Sequence, residues 1–486
     1  MLFLYDDGDP APAAVREIIG VERFGDVLKR KQRLSDLIER AVTKEPDLEF
    51  ARVTDSSSRE ALVDMLTKRR GDEWVVRLPS GLVPVNIDMF VRTLRKLPYA
   101  PGAAIFGGRF DDEAMTLLSR ADTVALLGTR DPKQRRSFLD SVAESSLGLG
   151  NAMGLVDLRS VSSFLGYMIG ATEVRFFNSS QVSGGVFRKS SSDVAKMRGE
   201  HGFFHVVPDA MKRFLLPTFD FREEGGRASY AMENLSVPDA ALQIVHHSFD
   251  PVSFARLLDC FFEFIGSRGT AETGTDQVRT VARDAILGKM HTRLDNLLRT
   301  DAGRQLDALL AATGPRGDIV AMGRKATALI ERAIAADRSS ALAVGHGDPC
   351  LSNILFSRNI GLFRLIDPRG ATSLEEAYMH PLYDLAKFSH SILGGYDFVN
   401  NGLFECRVGD DLKLVLELDG QGPPAWMRAA FTERMAAAGH DLAIVRAYEL
   451  SLFLSMLPLH VDTPRKLPGF CLTAAAIMDE LEGIVR

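Results

Sequence analysis

Two short apolar runs separated by a polar turn predict a β-hairpin in the second half of this chain. Residues 353–356 and 362–366 are strand-like, and Ser-Arg-Asn-Ile-Gly between them is typical of a hairpin turn. Such a hairpin brings Asn353 and Asp367 together at its open end, an amide beside a carboxylate. Asp348 lies five residues before Asn353, in the loop that feeds the same hairpin. The pattern predicts one proton acceptor and two hard oxygen ligands in one place.

This set of groups matches the needs of phosphoryl transfer. Mg²⁺ prefers oxygen ligands and usually takes only one or two from protein, and a further carboxylate must orient the attacking hydroxyl. His346-Gly-Asp348, with Asn353 five residues on and Asp367 downstream, resembles the catalytic and metal-binding segment of the protein-kinase-like phosphotransferases, in particular the aminoglycoside and choline kinase branch. The spacing also agrees with the kinase pattern H-R-D-x-x-x-x-N.

The resemblance implies a role for each of these residues. Asp348 would receive the proton of the substrate hydroxyl, and Asn353 and Asp367 would hold magnesium. Pro368 and Arg369 follow Asp367 where protein kinases have Phe and Gly, and Arg369 is interpreted either as a phosphate contact or as a surface residue. The alternative hypothesis treats the polar residues as turn and capping residues, since Gly-Asp-Pro and Ser-Asn are common in turns.

A kinase fold also requires an upstream lysine that reaches the nucleotide phosphates and a helix glutamate that holds it. Lys189 ends a strand-like segment, and the helix that follows offers Glu200 three residues after Met197, on its apolar face. A carboxylate there is costly unless a cation pairs with it, so Lys189 is its expected partner. Arg188 points to the other side of the strand. The alternative is a solvated lysine and a glutamate at the rim of the helix.

Two more segments are expected to contact the nucleotide. The turn at 179–185, which includes Ser183 and Gly184, would cover the phosphates with backbone N–H groups, although it departs from G-x-G-x-x-G. A later strand resembles the edge that leads to an interlobe hinge, where backbone at Glu233 to Leu235 would meet adenine. ATP is the expected nucleotide, GTP stays open, and Mg²⁺ is the expected metal.

Further downstream, residues 381–387, 394–397 and 455–460 resemble the carboxy-terminal lobe of a bacterial subgroup of these phosphotransferases. In the wider family an aspartate matching Asp384 braces the catalytic loop from a helix. The resemblance extends from about residue 171 to the end, roughly two thirds of the chain.

The first 167 residues alternate short apolar runs with helical patterns, which is typical of an α/β layer. Helix starts are expected at Ser57 or Ser58 and at Asp111. Strands are expected at residues 3–5, 73–78, 103–106, 123–127 and 153–156.

The order of these elements resembles a nucleotidyltransferase or GT-A sugar-nucleotide domain, through residues 73–81 and 150–156. Residues 4–10 lack a glycine-rich loop with a basic residue to hold a triphosphate, and residues 79–81 stand where that family has a metal-binding aspartate. The domain is therefore interpreted as degenerate. Its acidic residues 6, 7 and 9 are interpreted as a surface turn, with a cation site as the alternative.

The predicted fold class is α/β plus α+β. It comprises a layered α/β domain at 1–167, a small β-rich kinase-like lobe at 171–237, and a mainly helical lobe with the catalytic hairpin at 238–486.

The net charge of -6 provides no global basic field for nucleic acid or an anionic membrane. We expect no membrane span and, because the four cysteines are scattered without a C-x-x-C pair, a reduced cytoplasmic location. The oligomeric state is not readable from the sequence.

The leading hypothesis is an ATP- and Mg²⁺-dependent phosphotransferase that acts on a hydroxyl of a small molecule. A sugar or sugar derivative is favoured only by the pairing of the two domains, which is an analogy of architecture. One alternative is a nucleotide-binding pseudokinase or scaffold in glycan assembly. Another is nucleotidyl transfer by the first domain. It is the least favoured of the three hypotheses, because the start of the chain lacks the glycine-rich loop that such transfer needs.

Overall fold

The computed structural model describes residues 1–29, 32–71, 73–106, 114–129, 131–143, 147–148, 154–168, 178–183 and 185–484. The chain forms two compact units, Met1–Thr172 and Glu173–Arg486.

The first unit is an α/β layer. Its described strands are β1 Leu2–Asp6, β2 Leu28–Lys29, β3 Gln32–Arg33, β4 Glu49–Val53, β5 Trp74–Pro79, β6 Leu82–Pro84, β7 Ala104–Phe106, β8 Met115–Ser119, β9 Leu147–Gly148 and β10 Leu155–Asp157. Its described helices are α1 Ala13–Ile19, α2 Leu34–Val42, α3 Ser56–Lys68, α4 Ile87–Leu94, α5 Arg120–Gly128, α6 Pro132–Ala143 and α7 Val161–Met168, with 3₁₀ turns at Phe24–Asp26 and Leu97–Tyr99.

Six of these strands form one sheet in the order β4-β1-β5-β8-β7-β9, with β1 parallel to both β4 and β5. Alternate residues of β1 point to opposite faces. Phe3 and Tyr5 pack with residues of α2 and α4, whereas Leu2 and Leu4 pack with residues of α3 and α5. The sheet therefore has an apolar core on each face.

Two of the secondary-structure elements expected in this unit need correction. Residues 123–127 are not a strand but lie within α5, whose N-cap Ser119 accepts a hydrogen bond from the backbone N–H of Asp122. A short apolar run does not distinguish a strand from a buried helical turn. Helix α3 begins at Ser56 and is capped by Asp55, slightly earlier than expected. The helix start expected at Asp111 and part of the segment 150–156 lie outside the described residues.

The acidic residues 6, 7 and 9, at the end of β1 and just after it, do not form a surface turn. Asp6 and Asp7 are buried, and each pairs with an arginine. Asp6 Oδ2 lies 2.7 Å from Arg77 Nε, and Asp7 Oδ2 lies 2.6 Å from a terminal nitrogen of Arg52. Asp9 is half-exposed and lies 3.4 Å from Arg59. The carboxylates of Asp6 and Asp7 are neutralised by guanidinium groups, which accounts for their burial.

The second unit has a β-rich part followed by a helical part. Its described strands are β11 Asn178–Ser183, β12 Val186–Ser191, β13 Thr218–Glu224, β14 Arg227–Glu233, β15 Thr270–Glu272, β16 Ala341–Val344, β17 Ile354–Ser357, β18 Leu362–Leu365, β19 Tyr378–Met379, β20 Phe404–Val408 and β21 Leu414–Leu418. Its described helices are α8 Val194–Val206, α9 Asp209–Lys212, α10 Ala240–Val245, α11 Pro251–Ser267, α12 Thr275–Ala282, α13 Lys289–Leu298, α14 Asp301–Thr313, α15 Ile319–Ala336, α16 Leu374–Ala377, α17 Tyr383–Ile392, α18 Tyr396–Asn400, α19 Ala425–Ala437, α20 Leu442–Met456 and α21 Leu467–Ile484. Short 3₁₀ turns occur at Leu351–Asn353, Asp419–Gln421, Leu457–His460 and Pro464–Lys466, and a π-turn at Arg283–Gly288 joins α12 to α13.

The β-rich part is an antiparallel sheet in the order β11-β12-β14-β13, against which α8 packs. Helical spacing of apolar residues in the sequence predicts helices at 193–204, 252–265, 278–298, 303–313 and 318–336, and these are present as α8 and α11 to α15. The turn expected at 179–185 is wrong over most of its length, because residues 178–183 are strand β11. Polar residues at an edge strand gave no apolar alternation to reveal it.

One described helical segment, Leu442–His460, is long and apolar enough to cross a membrane by length and composition. It lies inside the second unit, with 78% of the segment buried. Burial of this kind is expected of a core helix.

Candidate active site

The hairpin β17–β18 places the predicted oxygen ligands side by side. Ile354 pairs with Leu365, and the backbone N–H of Ile366 donates to the carbonyl oxygen of Asn353 at 2.9 Å. Asp367 therefore follows directly beyond the last hydrogen bond of the hairpin. Its φ of 56° is in the left-handed region, which aspartate tolerates better than most residues and which often occurs at functional sites.

The loop before the hairpin is braced from helix α17, as the resemblance implied. The buried carboxylate of Asp384 accepts hydrogen bonds from the backbone N–H groups of His346 at 2.9 Å and Gly347 at 2.8 Å. Arg268 lies 3.5 Å from the same carboxylate and also donates to the carbonyl oxygen of Pro381. Asp384 thus fixes the backbone that carries Asp348.

Lys189 connects the β-rich part to the hairpin. Its Nζ lies 2.8 Å from Glu200 Oε2 and 2.9 Å from Asp367 Oδ1, so the expected ion pair with Glu200 is present. Burial by itself would lower the pKa of Lys189, but the carboxylates of Asp367 and Glu200 raise it. The hydroxyl of Tyr230 donates to Glu200 Oε2 at 2.9 Å. This lysine is held charged at the hairpin.

Asp348 has a cationic partner that the sequence pattern did not reveal. Lys387, on α17, places its Nζ 3.0 Å from Asp348 Oδ1. Burial raises the pKa of Asp348, but the ammonium group outweighs this and lowers that pKa to about 2. The side chain of Asp348 is still 43% exposed, so a solute can reach it. The only available signal was that Lys387 follows Asp384 by three residues on one helix, and so shares its face.

The predicted metal ligands fit a hard dication by their chemistry. The side-chain Nδ2 of Asn353 donates to the carbonyl oxygen of Asp348 at 2.9 Å, which leaves its amide oxygen as an acceptor. The carboxylate of Asp367 is 40% exposed. Among the described residues no group of three or more His, Cys, Asp or Glu forms a metal centre. Two oxygen-bearing side chains are what Mg²⁺ usually takes from protein when phosphates complete its shell.

Close packing fixes the segment after Asp367 against helix α8. The backbone N–H of Ala371 donates to the carbonyl oxygen of Gly199 at 3.0 Å. Gly370 has a φ of 94°, and a Cβ there would lie 2.6 Å from the carbonyl carbon of Gly199. Because Glu200 follows Gly199, this contact sets the distance between the Lys189–Glu200 pair and the hairpin.

Apolar side chains line the junction between the sheet and the hairpin. Leu355 and Ile366 of the hairpin pack with the cluster that includes Met232, and Phe187 and Leu235 contact the same cluster. Glu233 is the last residue of β14, so the predicted hinge residues Glu233 and Leu235 lie where the chain leaves the sheet. These aliphatic side chains form a surface against which a flat apolar ring could pack.

The predicted phosphate turn is not brought to Lys189. Ser183 pairs with Val186 at the end of the β11–β12 ladder, whereas Lys189 pairs with Ser180 further along. The carbonyl oxygen of Gly185 accepts from the backbone N–H of Asn234, which places this turn beside the hinge residues. Gly184 lies outside the described residues. Phosphate contact by Ser183 and Gly184 stays a prediction.

Comparisons with known proteins give matches at the level of structure. No protein-family model matches the sequence, and no curated protein matches it. A crystal structure of a thermostable mutant of aminoglycoside phosphotransferase APH(4)-Ia in apo form covers 64% of this chain and 92% of that chain, at 14% identity and a TM-score of 0.38. Its ternary complex with AMP-PNP and hygromycin B covers 65% of this chain and 98% of that chain, at 12% identity and a TM-score of 0.37.

An aminoglycoside-3'-phosphotransferase of type VIII covers 62% of this chain and 97% of that chain, at 14% identity and a TM-score of 0.29. These neighbours are phosphotransferases with a protein-kinase-like fold. At such identities and TM-scores the likeness carries no argument about activity, and the function of this chain is inferred from its own residues.

Proposed function

We propose that this protein is an ATP- and Mg²⁺-dependent phosphotransferase that acts on a hydroxyl group of a small molecule. The observation that carries the proposal is the position of Lys189, which is ion-paired with both Glu200 and Asp367. It lies at the open end of the hairpin, beside Asn353 and the loop that carries Asp348. Phosphoryl transfer depends almost entirely on positioning and on stabilising negative charge, and these groups supply both.

Each residue has a distinct task in this proposal. Lys189 binds the phosphates of the nucleotide, and Glu200 keeps its ammonium group in place. Asn353 and Asp367 would hold Mg²⁺, which when bound offsets the charge of the β- and γ-phosphates. The aliphatic surface at Met232, Leu235 and Ile366 suits adenine. GTP stays open as an alternative nucleotide.

In the transfer step Asp348 orients the acceptor hydroxyl toward the γ-phosphorus. The acceptor oxygen forms a new bond to phosphorus while the bond between the γ-phosphorus and the bridging oxygen breaks, and ADP leaves with that electron pair. The hydroxyl proton passes to the carboxylate of Asp348. Because Lys387 keeps the pKa of Asp348 near 2, this carboxylate is ionised and ready to accept a hydrogen bond at neutral pH.

The proposal is tested by thermal stabilisation with ATP, GTP and AMP-PNP, each with and without Mg²⁺. We expect Mg²⁺-dependent stabilisation of the wild type, which Asp367→Ala and Asn353→Ala reduce strongly. Asp209→Asn is the matched control, because the carboxylate of Asp209 is 95% exposed. Wild-type protein that no nucleotide stabilises would contradict the proposal.

Turnover separates the enzyme from a binding protein. Asp348→Ala should keep nucleotide binding and lose phosphoryl transfer to an acceptor by a factor of about 10² to 10⁴, the range of general acid–base contributions. Stoichiometric nucleotide binding without turnover across an acceptor screen would instead favour the pseudokinase or scaffold hypothesis. Pyrophosphate release that survives Asp367→Ala would favour nucleotidyl transfer by the first unit.

A further inference from the structure

Three basic side chains surround Tyr383, a buried residue at the start of α17. Lys289 Nζ lies 3.3 Å from the Tyr383 hydroxyl oxygen, and the Arg369 guanidinium carbon lies 5.4 Å from the centre of the ring. Lys387 follows one turn later on the same helix and contacts Asp348. We call Lys289, Arg369 and Lys387 the basic cluster. It is next to the carboxylate proposed to orient the acceptor.

The basic cluster carries more positive charge than its protein neighbours neutralise. Asp348 pairs with Lys387, whereas no carboxylate of the described residues lies within 4.0 Å of the amino group of Lys289 or the guanidinium of Arg369. Two positive charges are therefore in excess beside Asp348. Burial lowers the pKa of Lys289, Tyr383 opposes this in part, and repulsion by Arg369 and Lys387 lowers the pKa further. Like charges held together in a partly buried place are costly unless an anion joins them.

A local irregularity of the helix determines where Lys289 points. The π-turn Arg283–Gly288 interrupts the long helix between α12 and α13, and Lys289 is the first residue after it. One inserted residue rotates the side chains that follow by about 100° relative to an uninterrupted α-helix. Such π-turns occur frequently at functional sites. Here the turn directs Lys289 to Tyr383 and so completes the basic cluster.

We propose that the basic cluster binds an oxyanion of the acceptor, so that the substrate is a hydroxyl compound that also carries a phosphate or carboxylate group. This inference rests on the proposed function of Asp348. The excess of two positive charges matches the dianion of a phosphate monoester. Arg369 offers a planar fork for two oxygens, the lysines offer point charges, and the Tyr383 hydroxyl offers a further donor.

A different source of the same oxyanion is the γ-phosphate of the nucleotide. Lys189 already serves the nucleotide side of the site, through its contact with Asp367. The basic cluster instead lies beside Asp348 and Tyr383, at the position that the proposed function gives to the acceptor hydroxyl. An experiment that fills the γ-phosphate position separates the two sources.

The test is calorimetric titration of the full chain with inorganic phosphate, with and without saturating Mg²⁺–AMP-PNP. We expect phosphate to bind in both states, with at least tenfold weaker affinity in Lys289→Met and Arg369→Met. Lys325→Met, at an exposed lysine of α15, is the matched control and should leave phosphate affinity unchanged. Phosphate that AMP-PNP displaces would assign the cluster to the γ-phosphate, and equal affinity in all variants would overturn the proposal.

The same samples distinguish failure of this inference from failure of the proposed function. AMP-PNP affinity should stay within about threefold of wild type in Lys289→Met, because Lys289 is not placed at the nucleotide. Loss of AMP-PNP binding in the wild type overturns the kinase hypothesis, whereas normal AMP-PNP binding without phosphate binding overturns only the acceptor subsite.

An acceptor screen adds a second readout, with gluconate and glucose 6-phosphate compared with glucose and glucosamine. We expect the acidic compounds to be preferred at equal concentration, and Lys289→Met to raise the KM of the preferred one with a smaller change in kcat. Preference for glucosamine or glucose with a KM that Lys289→Met leaves unchanged would overturn the proposal.

Discussion

The Nζ of Lys387 lies 3.0 Å from Oδ1 of Asp348 and neutralises the carboxylate proposed to orient the acceptor. The two residues come from different elements, α17 and the loop before β17. Their contact keeps Asp348 ionised in a site where burial alone would favour the protonated acid. Lys387 therefore lowers the pH at which Asp348 becomes protonated.

Replacing Lys387 should change the pH dependence of phosphoryl transfer. In the wild type the pKa of Asp348 is about 2, so its protonation does not limit the rate above pH 4. In Lys387→Met the ammonium is lost while burial remains, so we expect the acid limb of kcat/KM to move upward into the pH 4–7 range. The Lys387→Arg variant should keep the wild-type limb. Superimposable profiles for Lys387→Met and wild type would contradict this role.

Packing at Gly370 should be sensitive to a single methyl group. A Cβ there would lie 2.6 Å from the backbone carbonyl carbon of Gly199, in addition to the strain of a φ of 94°. Gly361 is the control for a positive φ, because its φ is 65° and nothing lies within 4 Å of an added Cβ. We expect Gly361→Ala to cost about 1–2 kcal/mol.

Gly370→Ala should cost about 1–3 kcal/mol more than the control, as overpacking does. Urea unfolding of both variants measures the difference. Because Gly199 precedes Glu200, Gly370→Ala should also weaken nucleotide stabilisation, whereas Gly361→Ala should not. Equal stability of the two variants would contradict this prediction, because it would mean that α8 shifts away from the added methyl group without cost.

Asp384 should contribute strongly to the stability of the loop that carries Asp348. Its carboxylate serves two backbone N–H groups and the Arg268 guanidinium, and all of these are buried. Asp384→Ala leaves an unpaired buried cation and two unpaired donors, so we expect a loss of about 3–5 kcal/mol in the free energy of unfolding. Asp384→Asn keeps one oxygen acceptor and should lose less. Denaturant unfolding of both variants makes the comparison. If Asp384→Ala lowers the free energy of unfolding by less than about 1 kcal/mol, Asp384 does not hold the loop in place.

The sequence predicted the parts of the site that depend on local spacing. The hairpin, its two oxygen-bearing ends and the Lys189–Glu200 pair follow from strand runs, a turn and one helix face. Lys387 and Lys289 were missed because their positions depend on how α17 and α13 pack and on a π-turn that no 3.6-residue period reveals. The strand expected at 123–127 failed for a related reason, because five residues are too few to separate the two periods.

Acid should remove a stabilising contribution from Asp337. Its carboxylate lies 2.9 Å from His380 Nε2 and accepts from the backbone N–H of Ser339 at 2.8 Å. Burial raises the pKa of Asp337, but these bonds lower it to about 2. A carboxyl group whose pKa is lower in the folded than in the unfolded protein stabilises the fold at pH values above its unfolded pKa. This stabilisation is lost as the pH falls through the folded pKa. For Asp337 it amounts to about 2 kcal/mol above pH 5.

About half of that gain should be lost by pH 3. Urea unfolding of wild type and Asp337→Asn at pH 6 and pH 3 measures it. We expect the stability difference between the two proteins to narrow by about 1 kcal/mol on acidification. A difference that stays constant with pH would contradict the assigned pKa.

Asp397 should change the free energy of unfolding with pH in the opposite direction to Asp337. It is 1% exposed, and the nearby Ser391 hydroxyl only partly offsets the cost of burying its carboxylate. Burial raises the pKa of Asp397 to about 7. A raised carboxyl pKa means that the unfolded chain loses its proton first, so stability falls between about pH 4 and pH 7.

Asp397→Asn removes this ionisation while keeping the shape of the side chain. The variant should therefore match the wild type near pH 4 and exceed its free energy of unfolding by up to about 4 kcal/mol at pH 8. Unfolding in urea at pH 4, 6 and 8 gives the comparison, and Asp337→Asn serves as the control because its difference from wild type should stay nearly constant over this range. A constant offset between Asp397→Asn and wild type across this range would mean that Asp397 is ionised in the folded protein, and a cation or donor would then have to reach it.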